Sequence, residues 1–362
     1  MRTLSIALLA LIIASCSPNH KPSTTAEEKC TSKDGYWYKG ECWKNFDDTG
    51  IPISEIDSVV EAQMRIINKS FISINKKREP LVAFLPIEED KKTLLFIAVY
   101  GSKDLGYKTL IIPTSMKDVK ENESKAKVLL FRGNALGSDM EESPSFTGNV
   151  TIQNINMDNL IFNITGDLTK QDSTESIHIS FETNEAISGA GNSNIEIKGN
   201  EAFISGDLGT VTYAQMKDLI QNHPEIKTLV LTQISGSVND DVNMHTGRIV
   251  REHGFTTKVL KDSDIASGGV DLFCAGKERI VVKGAKIGIH SWCCVDDQTA
   301  IEISKNHPAH QYQLEYFTMM MGDSIGPAFY FHTLSASPFD GIHYMSDEEI
   351  QNWTVSTQFI EE

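Results

Sequence analysis

The second half of the chain alternates short apolar strand segments with helical segments, and this alternation constrains the fold more than any other feature. The connections are short, and the change in pattern comes near Asn194. Strands and helices that alternate in this way form a mostly parallel sheet covered by helices. We therefore predict an α/β domain over residues 194–362. Strand segments are expected at 195–197, 202–204, 228–233, 257–260, 279–282 and 286–290, and helices at 213–221, 242–253, 268–276, 310–321 and 325–334.

Residues 51–193 have a different pattern. After one helical segment at 56–68, short runs with strand composition are separated by clusters of Gly, Asn, Asp and Pro, as in antiparallel sheets. No group in this region has the spacing of a catalytic site. We predict a β-rich domain with a structural or partner-binding role. The runs are 81–86, 93–100, 109–113, 127–131, 149–155, 160–164 and 176–181.

Residues 1–16 predict an export signal with a lipid attachment site. The start is positively charged, and the apolar run over 4–13 is shorter than the about 20 residues that span a bilayer. The run ends in Ile13-Ala14-Ser15-Cys16, which resembles a bacterial lipobox with Cys16 as the lipidated residue. An ordinary signal with a chance cysteine is the alternative. By resemblance to sorting rules, Ser17 favours an outer-membrane lipoprotein that faces the periplasm.

Two further cysteines predict a small disulfide-bonded element. Residues 17–28 are polar and indicate a flexible tether, and Cys30 and Cys42 then bracket a short Gly- and aromatic-rich segment. In an exported protein this spacing predicts a hairpin closed by a disulfide, so that residues 17–50 comprise tether and hairpin. Cys274 lies on an apolar helical face, which predicts a buried small hydrophobe. Its pairing with Cys293 or Cys294 is left open.

Charge and motifs exclude several classes of function. The net charge of −16 argues against a nucleic-acid groove, which needs a basic surface. No phosphate-binding Gly-x-x-x-x-Gly-Lys-Ser/Thr run is present, and the histidines and cysteines lack the spacing of a metal site. We therefore predict no cofactor, no metal and no nucleic-acid partner.

Ser267 and His290 predict a site for nucleophilic catalysis. Ser267 opens a helical segment, and His290 ends an apolar strand shortly after it. A serine hydroxyl is a poor nucleophile until a base takes its proton, and a helix N-terminus offers N–H groups to an oxyanion. The structural alternatives are a helix-capping serine and a strand-end histidine bonded to backbone. Trp292 suits either a pocket wall or the core.

Four blocks between residues 195 and 357 resemble the ClpP/crotonase superfamily, and within it the ClpP-like serine peptidases. Residues 202–208 look like the opening strand, and 229–238 match the strand and Gly-rich turn that supply an oxyanion donor. Residues 265–269 match the nucleophile turn, and 287–290 match the strand end that carries the base. The resemblance covers a little under half of the chain. It implies a ClpP/crotonase-like fold and a peptide or protein substrate, and it leaves room for a homo-oligomer.

The resemblance also implies residue roles. Ser267 is the nucleophile, His290 is the general base, and the backbone N–H groups of Ser237 and Gly268 form the oxyanion hole. Asp340 falls near the acid of the family, displaced by two residues. The rival acids close to His290 are Asp296 and Asp297. Two departures from the family pattern stand in the oxyanion loop, where Ser235 replaces a proline and Ser237 replaces a second glycine.

These observations predict a lipid-anchored serine hydrolase of the cell envelope, and in particular a peptidase. The altered oxyanion loop favours the alternative of a catalytically inactive ClpP-like binding or assembly module, because a fold does not fix a function. Crotonase-like acyl-CoA chemistry is disfavoured because CoA is scarce outside the cytoplasm. An α/β-hydrolase is disfavoured because Ile265 occupies the first glycine position of a Gly-x-Ser-x-Gly elbow.

Overall fold

The computed structural model divides the chain into two compact units, Met1–Thr49 and Gly50–Glu362. The predictions for Cys16, Asp296 and Asp297 lie outside the residues that the structure describes. Within the described residues we find no helix with the length and apolar character of a membrane span. The described ranges are 25–31, 35–44, 50–68, 71–74, 76–88, 92–102, 106–115, 127–132, 141–156, 161–170, 176–182, 189–295 and 298–361.

The first unit contains a short helix and a hairpin. Helix α1 (Ala26–Thr31) is followed by strands β1 (Gly35–Tyr38) and β2 (Glu41–Lys44), which pair in antiparallel fashion. The two turn residues, Lys39 and Gly40, have φ angles of 48° and 82°, and a type I′ hairpin requires positive φ at both positions. The predicted disulfide between Cys30 and Cys42 is present and links α1 to β2.

The N-terminal part of the second unit is an eight-stranded closed barrel in which all neighbouring strands are antiparallel. The predicted β-rich region is thus confirmed, with one strand, β3, that the sequence did not indicate. The strands are β3 (Phe71–Ile74), β4 (Lys77–Glu88), β5 (Thr93–Ser102), β6 (Gly106–Ser115), β7 (Lys127–Arg132), β8 (Glu141–Asn156), β9 (Ile161–Lys170) and β10 (Ser176–Glu182).

The barrel interior is apolar because side chains alternate along its strands. On β5, Leu94, Phe96, Ala98 and Tyr100 are buried, while the residues between them are partly exposed. A period of two places every second side chain inside a barrel. Buried residues on β6, β8, β9 and β10 complete the same interior, including Leu110, Ile112, Val150, Ile152, Ile164, Leu168 and Ile179.

The C-terminal part is an α/β sheet, as the alternating pattern predicts. Its strand order is β11-β12-β13-β14-β15-β18, and β16 and β17 continue from β14. Only the β11–β12 and β16–β17 pairs are antiparallel among these described strands, so the sheet is mostly parallel. The strands are β11 (Asn194–Lys198), β12 (Glu201–Ser205), β13 (Thr228–Ile234), β14 (Thr256–Ala266), β15 (Glu278–Val282), β16 (Lys286–Ile289), β17 (His343–Tyr344) and β18 (Gln358–Ile360).

Helices cover this sheet, and their sequence signals explain several of their ends. A capping box begins the last helix, where Ser346 Oγ accepts from Glu349 N at 3.2 Å and Glu349 Oε2 accepts from Ser346 N at 2.8 Å. The helices are α2 (Ile56–Ile67), α3 (Thr210–Asn222), α4 (Asp240–Glu252), α5 (Gly268–Cys274), α6 (Gln311–Met321), α7 (Ile325–Ala336) and α8 (Asp347–Asn352).

Helix α2 precedes the barrel in sequence but packs against the α/β part. Its buried residues Ile56 and Val60 contact Tyr213 of α3. The Tyr213 hydroxyl donates to Asp57 Oδ1 at 2.7 Å, and this hydrogen bond lowers the pKa of the Asp57 carboxyl group. Lys217 Nζ adds a contact of 3.1 Å to Asp57 Oδ2. The barrel and the sheet therefore belong to one compact unit, although their sequence patterns predict a boundary near residue 193.

Close approach between helices fixes the core beneath the site. A Cβ atom at Gly247 of α4 would lie 2.0 Å from the Tyr316 hydroxyl oxygen, so only glycine admits α6 at this distance. Tyr316 is fully buried and donates from its hydroxyl group to the backbone oxygen of Asp271 at 2.7 Å. Through Tyr316, helix α6 thus contacts both α4 and α5, and α5 directly follows the turn that carries Ser267.

Candidate active site

The register of three parallel strands brings the predicted site residues together. Ile265 of β14 pairs with Ile234 of β13 on one side and with Ile287 of β16 on the other. The loop after β13, the residue after β14 and the residue after β16 therefore leave the sheet at the same edge. Carboxyl ends of parallel strands are where open α/β sheets bind ligands. Ser267 and His290 follow β14 and β16 at this edge, as the sequence predicted.

Ser267 has an unusual backbone conformation that leaves its hydroxyl group uncommitted. Its φ is 52° and its ψ is −125°, which is rare for a residue with a side chain. The conformation is held by two backbone hydrogen bonds, from Ser267 N to Gly288 O at 3.0 Å and from Val270 N to Ser267 O at 2.7 Å. The side chain makes no capping bond to α5, although Ser267 occupies the N-cap position. Strained backbone of this kind concentrates at functional sites.

The two predicted oxyanion donors lie side by side. A Cβ atom at Gly268 would lie 2.8 Å from the backbone nitrogen of Ser237 and 2.6 Å from its Cβ atom. In the described part of the chain, neither the Ser237 nor the Gly268 N–H donates to an intramolecular acceptor. Two amides without acceptors beside a serine are the arrangement that stabilises an oxyanion.

The oxyanion loop is held by the serines that depart from the family pattern. Ser235 Oγ donates to the carboxylate of Asp207, and Ser237 Oγ donates to the carboxylate of Asp240. Backbone bonds from Leu208 N to Gly236 O at 2.9 Å and from Val238 N to Leu208 O at 2.8 Å fix the same loop. The hydroxyl groups thus supply loop contacts that a proline and a glycine do not make.

His290 lines the same cavity as Ser267. No hydrogen bond joins the Ser267 hydroxyl to the His290 ring among the described residues, and the buried His290 Nδ1 atom has no hydrogen-bond partner. Catalytic hydrogen bonds are often long without substrate and tighten in the substrate complex. The structure therefore places both groups on one cavity without assembling them into a bonded pair.

Asp340 is not brought to His290. It is exposed, in a turn after α7 where Gly341 N donates to Pro338 O at 3.1 Å, and it does not line the cavity. This placement matches a turn-forming aspartate, which Pro338 and Gly341 on either side favour. The aspartate that the sequence resemblance assigned as the acid thus makes no contact with the predicted base.

Two other carboxylates share the cavity, and the sequence reasoning missed both. Asp240 begins α4, and Asp271 lies one turn after Ser267 on α5. Asp240 lies at the exposed mouth, yet enough protein surrounds its carboxyl group that burial raises its pKa, while Ser237 and His290 lower it. Burial and the nearby charge of Asp240 raise the pKa of Asp271 well above its ordinary value. The spacing of four residues from Ser267 to Asp271 was the available signal, because it places both on one helix face.

Trp292 forms part of the cavity wall and also contacts the core. Its Nε1–H donates to the Tyr330 hydroxyl oxygen at 3.0 Å, and the Tyr330 hydroxyl donates to Gln313 Oε1 at 3.2 Å. His310 Nδ1 lies 2.7 Å from the same hydroxyl oxygen. The cavity enclosed by these groups has a volume of about 60 Å³. Both roles that the sequence left open for Trp292 are therefore present.

No disulfide links helix α5, which carries Cys274, to the loop after His290. Cys274 is buried and unbonded to another cysteine, and burial raises the pKa of its thiol to about 12. The link from Cys274 to Cys293 or Cys294 that the sequence left open is therefore not formed. Among the described residues we find no cluster of three or more potential metal ligands.

Comparison with known proteins gives fold-level likenesses. No family model matches the sequence, and no curated protein matches it. An enoyl-CoA hydratase from Bacillus halodurans is 16% identical, with a TM-score of 0.32 over 47% of this chain and 73% of that chain. A peptidase from Plasmodium falciparum is 11% identical, with a TM-score of 0.32 over 45% and 96%. The membrane-bound stomatin-specific protease 1510-N, with a substrate peptide, is 13% identical, with a TM-score of 0.34 over 44% and 74%.

These neighbours are crotonase-like and ClpP-like folds. They are the two kinds of structure that the sequence blocks resemble. At such TM-scores the likenesses carry no argument about chemistry. The function must therefore be argued from the cavity and from the residues that line it.

Proposed function

We propose that this chain is a serine hydrolase that cleaves an acyl bond, with a peptide as the substrate class that its ClpP-like sequence blocks favour. The observation that carries the proposal is the Ser267 turn. There an uncommitted hydroxyl group lies beside two amides without acceptors, and an imidazole lines the same cavity. A helix cap needs none of these additional features.

The proposed reaction follows from these positions. Ser267 Oγ attacks the carbonyl carbon of the substrate while His290 takes the hydroxyl proton. The N–H groups of Ser237 and Gly268 bind the oxyanion of the tetrahedral intermediate. His290 then gives the proton to the leaving group, and water hydrolyses the acyl-enzyme with His290 again acting as base. Ser267 and His290 must come within hydrogen-bond reach when substrate binds.

Asp240 is the carboxylate that interacts with His290, a role that the sequence resemblance gave to Asp340. His290 lowers the pKa of Asp240, so the two groups interact, and the interaction is favourable when the ring is protonated. The ring carries that charge after it takes the proton of Ser267. Asp240 therefore stabilises the charged base by proximity, without a hydrogen bond to Nδ1 in this structure.

A second candidate is a binding or assembly module without catalysis. It is favoured by the missing hydrogen bond between Ser267 and His290 and by the unpartnered Nδ1 atom within the described residues. In that function the cavity would bind a ligand that is not turned over.

Covalent trapping separates the two candidates. A fluorophosphonate is expected to form one adduct on the folded wild-type protein, and peptide mass spectrometry should map it to Ser267. Protein unfolded by heat should form no adduct, because the activated hydroxyl depends on the fold. Adduct formation at other serines only, or at none, would support the module without catalysis.

We further propose that Cys16 carries a lipid that anchors the protein in the outer membrane, facing the periplasm. Each buried methylene of an acyl chain adds about 0.8 kcal/mol to membrane binding. Expressed in a bacterium, the wild-type protein should require detergent for extraction and incorporate labelled palmitate. Cys16→Ser should appear in the soluble fraction without label. Detergent-free extraction of the wild type would count against the anchor.

A further inference from the structure

The cavity beside Ser267 has two carboxyl groups on its wall. Asp240 and Asp271 both line it, whereas no lysine or arginine among the described residues does. Neither carboxylate takes part in an ion pair in the described ranges. His290 lines the cavity as well, but it forms no ion pair with Asp271 in the described ranges.

Asp271 is the residue whose surroundings point to a ligand. Its side chain lines the cavity and is only partly exposed, and its carboxylate accepts no hydrogen bond from any described residue. Burying a carboxylate without a hydrogen bond or a counter-charge is costly. A carboxylate that faces only an enclosed cavity is satisfied by a proton or by a cation placed in that cavity.

The neighbouring helix contributes a second unsatisfied acceptor. Asn243 of α4 is 1% exposed, and its Nδ2 donates to Gly268 O at 2.9 Å. This bond turns the amide so that its oxygen, Oδ1, is buried without a hydrogen-bond donor among the described residues. Asn243 lies one helical turn after Asp240, so both acceptors belong to one face of α4. Asp271 and Asn243 are thus two acceptors close to the Ser267 turn that have no donor among the described residues.

The rest of the cavity wall suits the stem of a long aliphatic side chain. Trp292, Phe317 and Tyr330 supply aromatic surface, and aromatic faces also attract cations. The volume of about 60 Å³ corresponds to roughly four to six water-sized groups, if each water needs about 10–15 Å³. An unbranched chain that ends in an ammonium group has this size.

We propose that this cavity receives a lysine side chain of the substrate, with Asp271 as the main determinant of specificity and Asp240 at the mouth as the second. The inference rests on the proposed hydrolase function, because Ser267 then attacks the carbonyl group of that lysine residue. The aromatic wall holds the aliphatic stem, and the ammonium group takes the place of the proton on the buried carboxyl group. Asp271 touches the substrate side chain and is not one of the groups that transfer the proton.

Two phosphonate esters, one with a charged and one with an apolar side chain, test the proposal. Acetyl-lysine diphenyl phosphonate and acetyl-norleucine diphenyl phosphonate share the same four-carbon stem, and only the lysine compound carries an ammonium group at its end. We expect the wild-type protein to react with the lysine compound at least ~10-fold faster, as for a charge pair in a desolvated pocket. Asp271→Asn should bring the ratio of the two rates close to one, and Asp240→Asn should lower it to a smaller extent.

The control is an aspartate with the same substitution outside the cavity. Asp323 is exposed before α7 and does not line the cavity, so Asp323→Asn should keep the ratio of the wild type. Circular dichroism confirms that each variant is folded. If fluorophosphonate labels Ser267 but the norleucine compound reacts as fast as the lysine compound, the lysine pocket is wrong and the hydrolase remains.

A binding experiment decides the case in which no phosphorus compound reacts. That outcome would refute the hydrolase but not the cation site. Calorimetry should then show that n-butylammonium binds the Ser267→Ala protein, that n-butanol does not, and that Asp271→Asn in the same background removes the binding. Equal heats for the amine and the alcohol would overturn the cation site as well.

Discussion

Ser267→Ala should abolish fluorophosphonate labelling, because the proposed nucleophile is then absent while the remaining wall of the cavity is unchanged. His290→Ala should slow the labelling rate by ~10²–10⁴-fold, the usual contribution of a positioned general base. The two side chains are not hydrogen-bonded in this structure, so a large effect at His290 would also show that they approach each other during the reaction. The measurement is the second-order rate of labelling, followed by intact-protein mass spectrometry.

The matched control for Ser267 is Ser335. It is an exposed serine on α7 whose hydroxyl donates to His332 O at 3.0 Å, outside the cavity. Ser335→Ala should label like the wild type. Continued labelling of Ser267→Ala would identify another nucleophile, and a wild-type rate for folded His290→Ala would remove the histidine from the proposed mechanism.

Gly268→Ala should lower the labelling rate by ~10²–10³-fold, the effect of losing one oxyanion donor. The added methyl group would lie 2.8 Å from the backbone nitrogen of Ser237 and 2.3 Å from its hydroxyl oxygen. Backbone must move to relieve this contact, which separates the two donor amides and costs about 1–3 kcal/mol of stability. The labelling rate and the urea midpoint report the two effects separately.

Gly269→Ala is the control for this substitution. Its methyl group would first meet Ile234 Cγ2 at 2.8 Å, which is a side-chain atom outside the pair of donor amides. We expect a smaller loss of labelling rate than for Gly268→Ala, at a similar or smaller change in urea midpoint. If Gly268→Ala is folded and labels at the wild-type rate, the close approach of Gly268 and Ser237 does not serve an oxyanion.

Sequence predicted the α/β part well because its signals are local. Near-continuous apolar strands, helical spacing and the capping box at Ser346 each involve residues that are close in the chain. The barrel was predicted only as a set of strands. Its closure depends on β3, whose four residues show little pattern and which pairs with β10 about one hundred residues later. Strand pairing between segments so far apart in the chain produces no pattern within a short window of sequence.

The residues of the candidate site also differ in whether a local sequence signal indicates them. Ser267, His290, Ser237 and Gly268 could be proposed from sequence because each lies at a strand end within a recognisable block. Asp240 was not, because an aspartate at a helix start is common for reasons of capping and dipole, whatever it faces. Which acid approaches the cavity depends on how α4 and the turn at Asp340 are oriented. That orientation follows from packing that the blocks do not encode.

Strand β14 pairs with two different strands along its length, β15 first and then β16. Its first part, Thr256–Val259, runs beside β15, and its last part, Asp264–Ala266, runs beside β16. Between them, Ser263 Oγ accepts from Leu260 N at 2.8 Å and donates to Leu231 O at 2.7 Å. The separation of Ser267 and His290, the proposed nucleophile and base, thus depends on a fork in the sheet that the hydroxyl group of Ser263 stabilises. Substitutions at that fork can retune reactivity while every residue of the cavity stays the same.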